Sequence, residues 1–270
     1  MVELNTKYKI GKRRFGLVNW VGFISLYKKE TLRFLIVSGQ TILGPVLTGV
    51  LFLIVLSIAW GEDRGEVLGL PFIEFLAPGL ISMQVIQQSF SHSSSSLLGG
   101  KMMGSIIDLI GSPLSAGEVT LAIILASVTR AFIICIISIF FFNFFVKISI
   151  FNYYYFFIYL IFSSFLMGTL GFVAGIWADR YDNMATITNF IIIPLSFLSG
   201  TFYSVDRLPN ILKEMSFFNP FFHMIDGLRF SMIGISDGSI FFGLIYLLFF
   251  NLVLWWVAYY LYKIGYKIKT

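Results

Sequence analysis

Between Val119 and Trp177 the chain carries only two charged side chains, Arg130 and Lys147. A run this long and this apolar has no place in a water-soluble core. About 20 such residues, wound as a helix, cross the hydrocarbon of a bilayer, so the run is too long for one crossing. Its polar break, Lys147 to Asn152, divides it into two helices joined by a tight outer hairpin. Composition agrees, with 57% hydrophobic and 12% charged residues in a chain of 270 and a mean hydropathy of +0.86. Soluble domains carry about 25% charged residues. The fold class expected is all-α, a polytopic membrane protein forming a single transmembrane domain over residues 1–270.

Six spans are expected, at about 34–59, 72–98, 119–145, 153–177, 184–203 and 240–262. Gly39, Gly44, Pro45 and Gly49 in the first permit a kink or close packing, and Gly168, Gly171 and Gly175 in the fourth make a small-residue stripe. Residues 15–32 place Phe15, Leu17, Val18, Trp20, Val21 and Phe23 among flanking cations, which predicts an amphipathic helix lying in the membrane interface. Residues 207–230 hold two short amphipathic stretches joined at Asn219–Pro220, each too short to cross, so a pair of re-entrant outer helices is expected. In the second of them Asp226 and Arg229 share one face at helical spacing, and with His223 they are expected to stabilise that helix.

Charge placement sets the orientation. The segments assigned to the inside hold thirteen Lys and Arg residues, eight of them before residue 34, against five in the outer segments. The positive-inside rule then puts both termini in the cytoplasm. No cleavable signal peptide is expected, because the first 33 residues lack an apolar core followed by a small-residue site. The lone cysteine, Cys135, lies in an apolar run, which excludes a disulfide framework and a zinc site. The net charge of +5 is spread over chain ends and span borders and does not point to nucleic acid.

Two groups of residues stand out. The second span carries Gln84, Gln87, Gln88, His92 and a run of serines. Polar groups in a bilayer face a bundle interior or a wet cavity, so this helix is expected to line a route rather than face lipid. Arg130 lies about 16 Å into the third helix, near the midplane. It is open between a partner for an anionic group and a buried structural cation. The second group is Lys101 to Glu118, KMMGSIIDLIGSPLSAGE. Met102, Met103, Ile106, Ile107, Asp108 and Ile110 read as a one-sided amphipathic helix, stopped at Pro113. Ser115 with Glu118 is a capping box that starts the next helix. Helix, break and capped helix would present a rigid apolar knob beside the membrane.

With this layout the sequence resembles the ABC-2 type transporter permeases, the membrane subunits of bacterial ABC exporters, and within them the inner-membrane transport permeases. The resemblance rests on Phe75–Leu80 (FLAPGL), Pro113–Glu118 (PLSAGE), Phe197–Tyr203 (FLSGTFY), Asn219–Pro220 and Gly227–Phe230, in this order on six spans. It implies a homodimer in the bacterial inner membrane, bound to two copies of a separate ABC ATP-binding subunit. The chain has no G-x-x-x-x-G-K-[ST] loop, so ATP and Mg²⁺ would be used on that partner, and no cofactor or metal is expected here. Lys101 to Pro113 would be the coupling helix seated in the ATPase, with Glu118 either a contact or only a cap. Gln84, Gln87, Gln88, His92 and Arg130 would lie on the substrate path.

The function expected is export of an amphipathic substrate, such as a lipid, a glycolipid or polysaccharide, or a hydrophobic drug. A membrane-embedded enzyme acting on lipid, with His92, serines and Glu74 as its reactive set, is the alternative. It would need a nucleophile, a base and an orienting group within hydrogen-bond reach. A pore or scaffold without energy coupling leaves the knob and the re-entrant pair without a purpose.

Overall fold

The chain was described from a computed structural model, over residues 18–60 and 66–268. The expected basic stretch Lys7 to Arg14, the start of the interface helix at Phe15 and Leu17, the acidic loop residues Glu62 and Asp63 with Arg64, and Lys269 lie outside the described residues.

The elements run α1 Trp20–Ile36, a π-turn at Gly39–Leu43, α2 Gly44–Trp60, a two-stranded antiparallel hairpin (Glu66–Val67 with Leu70–Pro71), α3 Phe72–Met102, α4 Ile106–Gly111 and α5 Ala116–Phe142. They continue with α6 Tyr153–Trp177, α7 Tyr181–Ile187, a π-turn at Thr188–Ile192, α8 Ile193–Leu198, α9 Asn210–Phe218, α10 Pro220–Ile233 and α11 Ile240–Ile264. The fold is predominantly helical. Among the described residues, four stretches are long and apolar enough to cross a membrane: Gly39–Ala59, Ala116–Phe142, Tyr153–Trp177 and Ile240–Ile264.

α3 is the axis of the bundle. It runs 31 residues and packs against α2, α5, α6 and α10. Between helices in lipid there is little hydrophobic driving force, so close approach and interhelical polar contacts matter more than apolar burial. The α3–α6 seam shows this. Gly171 sits against the backbone of Phe90 and Gly175 against that of Ser94, and a Cβ at Gly171 would overlap the Phe90 carbonyl. The glycine stripe of α6 therefore lets two backbones touch.

Both π-turns precede a proline by one or two residues. Pro45 has no N–H to return to Thr41, four residues back. The Thr41 carbonyl is instead reached by Arg130 Nη2 at 3.1 Å. The kink between α1 and α2 thus exposes an acceptor that the midspan arginine of α5 uses.

At the N-terminal end of α3, residues of α10 and the 199–205 and 237–238 loops pack together around Arg229. Arg229 is fully buried, with Nη2 donating to Gly200 O at 2.5 Å and its guanidinium 4.0 Å over the Phe75 ring. The expected pairing of Arg229 with Asp226 is replaced by one with Asp237 at 3.9 Å. Asp226 turns to accept the backbone N–H groups of Asp237 and Gly238, at 2.8 and 3.0 Å. Helical spacing put the two side chains on one face, but the loop at 237–238 supplies closer partners to each.

Candidate functional site: a polar seam on α3 and the segment at its end

Gln84, Gln87, Gln88, Ser91, Ser94 and Ser95 recur at spacings of three and four, so one side of α3 is polar over several turns. Three cavities follow that side. The first, about 280 Å³, lies against α2 and is bounded by Pro45, Thr48, Gly49, Gln84, Gln87 and Gln88. The second, also about 280 Å³, lies between α3 and α7, and shares Gln87 and Gln88 with the first. The third, about 250 Å³, lies among α1, the end of α3 and α4, and shares Ser95 and Tyr181 with the second. The shared residues make the cavities neighbours in series along the polar seam.

Buried groups set the orientation of the seam. Arg130 Nη2 donates to Gln88 Oε1. Ser138 Oγ donates to Gln84 Oε1 at 2.5 Å. Arg130 itself borders none of these cavities and stands behind Gln88. His92 borders none of the three cavities. It is fully buried, its ring edge-on to Phe34 at 5.5 Å between centroids, and its ring nitrogens have no hydrogen-bond partner among the described residues. It stands four residues from Gln88, where α1 covers α3.

α1 is clamped to α3 beside the third cavity. Leu26, Glu30 and Phe34, four apart, face inward, while Trp20, Val21, Leu32 and Ile36 are exposed. The buried Glu30 accepts from Arg33 Nε at 3.0 Å and from Ser96 Oγ at 2.7 Å, and Arg33 Nη2 donates to His92 O at 3.1 Å. A buried carboxylate is tolerated only when paired and hydrogen-bonded, as here. This acid was not singled out by the sequence reading. Its spacing from Leu26 and Phe34 was the available signal.

The segment after α3 differs from the single helix expected. α3 ends at Met102, Gly104 takes a left-handed φ of +74°, and α4 begins afresh at Ile106. The break re-registers the helix and rotates Ile106 inward. Ile106 is 6% exposed and packs with Leu26, Leu97 and Ile123, so it is not part of the exposed knob. Met102, Met103, Ile107 and Ile110 are exposed, Ile107 at 71%, and Asp108 is exposed beside them.

After Pro113 the capping box closes as expected. Glu118 N donates to Ser115 Oγ at 3.3 Å and Ser115 N donates to Glu118 Oε2 at 2.6 Å. Glu118 Oε1 accepts a third bond, from the backbone N–H of Asn19, and Asn19 Nδ2 donates to Pro113 O at 3.0 Å. Glu118 is thus a cap and a tie to α1 at once.

On the same side, Lys101 Nζ donates to Ile176 O and Ala178 O, at 2.9 and 2.6 Å, and lies 3.5 Å from Asp179. Cations at a helix C-terminus satisfy its free carbonyls and complement its dipole. Lys267 joins the same carboxylate at 3.2 Å. The hydrogen bond from Lys267, with the charges of Lys267 and Lys101, holds the Asp179 carboxyl below its ordinary range.

The sequence pattern of the ABC-2 type transporter family matches residues 21–233. The chain belongs to that family. It is similar to an inner membrane transport permease, YadH of Escherichia coli K12, at 29% identity over 81% of this chain and 85% of the relative's length. Nodulation protein J of Rhizobium leguminosarum bv. viciae is 24% identical over 81% of this chain and 84% of its own. Nodulation protein J of Neorhizobium galegae is 22% identical over a similar share, 81% and 83%. Membership makes this chain a multi-pass membrane transport permease, and it implies pairing with an ABC ATP-binding subunit.

Proposed function

We propose that the chain is the permease subunit of an ATP-driven exporter that moves an amphipathic substrate across the bacterial inner membrane by alternating access. The observation that carries this reading is the polar seam of α3 inside a family member. Cavities follow it from the Glu30–Arg33 clamp to Gln84, while the helices around it are apolar. A head group of moderate polarity has partners along such a seam, and an apolar tail has lipid beside it. Gln84, Gln87 and Gln88 line the path. Arg130 acts from behind it, and His92 belongs to the packing of α1 on α3.

In this reading six spans cross the bilayer, with α3 and the broken α7–α8 added to the four apolar ones, and both termini are cytoplasmic. α1 lies in the interface, and α9 and α10 form the re-entrant outer pair. Two chains form a homodimer on two ATP-binding subunits, which supply ATP and Mg²⁺. The exposed apolar set Met103, Ile107 and Ile110 is the coupling surface. Support for it is position: α4 sits at the end of α3, and directly after it Ser115, Glu118 and Asn19 tie the start of α5 to α1.

The test is co-purification with candidate ATP-binding subunits, followed by ATP hydrolysis in nanodiscs with added lipid extracts. Stimulation that changes in a Gln84→Leu/Gln88→Leu protein of unchanged thermal midpoint supports the path. Unchanged stimulation removes these residues from it. Failure of every ATP-binding subunit to co-purify counts against the permease reading itself.

A further inference from the structure

The cavity at Gly49 is bordered by amides whose acceptor ends are taken. An arginine has donors only, so its bond to Gln88 fixes the amide oxygen toward Arg130 and leaves the NH₂ group turned away. Gln84 Oε1 meets the Ser138 hydroxyl at 2.5 Å, and its Nε2 is buried against Gly49, where any Cβ would collide with it, with no partner among the described residues. Glutamine is ordinarily donor and acceptor alike. Gln88 is clamped as a donor. Gln87 is unclamped and offers either end, and the Thr48 hydroxyl gives its proton to Gly44 O at 2.9 Å.

Arg130 adds charge. It is 6% exposed, and none of the ion pairs among the described residues includes it. Its two bonds go to neutral oxygens, those of Gln88 and Thr41. Far from bulk water such a charge is weakly screened, and a buried cation calls for an anion.

We propose that this cavity binds an anionic oxygen group, a phosphate or a carboxylate, carried on an apolar chain. Gln88 donates to it, and Arg130 is the positioning residue that holds that amide as a donor. The inference rests on the permease reading for its place in transport and narrows the substrate class of that same path.

The experiment uses the full chain in zwitterionic nanodiscs, without ATP or an ATP-binding subunit, and single-chain probes of equal length: dodecyl phosphate, dodecanoate and dodecyltrimethylammonium. Equilibrium binding is read by intrinsic fluorescence. A charge-assisted hydrogen bond predicts that the anions bind about tenfold tighter than the ammonium. Preference for the phosphate or for the carboxylate identifies which of the two the site takes. Arg130→Lys, still a cation and a donor, should keep the anion preference. Arg130→Gln should lose most of it.

Equal affinity for the three probes overturns the proposal. So does an anion preference that survives in the Gln84→Leu/Gln88→Leu protein, which would put the binding elsewhere. Transport by a protein that binds the probes equally sinks this inference alone. Selective binding by a protein that no ATP-binding subunit joins sinks the permease reading alone.

Discussion

The backbone N–H of Asn19 meets Glu118 Oε1 at 2.5 Å, 99 residues along the chain. The same carboxylate closes the capping box of α5 through Ser115, and Asn19 caps α1 by accepting from Gly22 N at 3.1 Å. One side chain therefore ties the starts of two helices, directly after α4. Glu118→Ala should remove the cap and the tie together, at a cost of about 1–2 kcal/mol. Glu118→Gln keeps an acceptor at that position and should cost less. Thermal midpoints in detergent rank the variants, and faster amide exchange at Asn19 and Gly22 in the alanine protein alone would locate the loss. Equal midpoints for Ala and wild type would show that the tie contributes nothing to stability.

Asp179 supplies a pH test on the cytoplasmic face of the proposed topology. Its folded pKa lies below the ordinary carboxylate value of 3.8, first through the Lys267 hydrogen bond and then through the charges of Lys267 and Lys101. A carboxylate of depressed folded pKa contributes stability that is complete above its unfolded pKa and disappears as pH falls through the folded one. Wild type should therefore exceed Asp179→Asn in thermal midpoint near neutral pH, and the two curves should converge on acidification below the unfolded value. The side chain is half exposed, so the gap should be small and should shrink with salt. A gap that widens toward low pH would contradict the assignment.

Gly227 of α10 lies against Tyr159 of α6 so closely that any Cβ would overlap the ring. Tyr159 cannot withdraw freely, because its hydroxyl donates to Ile240 O at 2.6 Å, at the start of α11. Gly227→Ala should cost about 1–3 kcal/mol as overpacking, despite the better helix propensity of alanine. Gly227→Ala/Tyr159→Phe should not recover it, since the ring remains; Gly227→Ala/Tyr159→Leu should recover part. Thermal unfolding of the set decides it, and a Gly227→Ala protein as stable as wild type would show that α10 can shift away from α6.

Hydropathy located the four apolar helices because length and lack of charge are local properties of sequence. The capping box was legible for the same reason, since Ser115 and Glu118 act within one turn. What sequence could not reveal depended on partners distant in the chain. Ile106 and Ile107 have the same side chain, and only the left-handed turn at Gly104 decides which of them is buried. Arg229 shares a helix face with Asp226 but is held by Asp237, in a loop after the helix. His92 looked like a member of the polar set, and what distinguishes it from Gln88 is that α1 covers it through Phe34 and Arg33. Glutamine orientation is further still from the sequence, because it is set by Ser138 and Arg130 on another helix.

The proposed homodimer has a test on the outward side of the first span. Leu43, at the end of the π-turn, and Leu47 and Leu51 of α2 repeat every four residues and are all exposed, so this face of the span has no cover among the described residues. Lipid or a second copy can cover it. Cys135 is buried, so a cysteine placed at position 43 would be the accessible thiol. Leu43→Cys in membranes should form disulfide-linked dimers on mild oxidation, while Ile136→Cys, on exposed α5 surface, should not. Equal cross-linking at both sites would indicate random collision.

The exposed apolar set on α4 carries the sharpest separation between folding and coupling. Ile106 and Ile107 are neighbours, one buried among Leu26 and Leu97 and the other 71% exposed. If α4 seats in an ATP-binding subunit, Ile107 and Ile110 lose water there. Burial of a large aliphatic side chain is worth about 1.5–3 kcal/mol, and 1.4 kcal/mol is one decade in affinity. Ile107→Asp or Ile110→Asp should therefore weaken the complex at least about tenfold with the permease still folded. Ile106→Asp should act differently, lowering the thermal midpoint of the isolated permease because a charge enters its own core. Asp108→Asn should change little, as a solvated rim charge. Pull-down of the ATP-binding subunit and thermal unfolding, measured on the same preparations, separate the two effects. A folded Ile107→Asp/Ile110→Asp protein that binds its ATP-binding subunit as wild type does would remove α4 from the interface, and the coupling role would then have to pass to another element, such as the 178–180 turn beside Lys101.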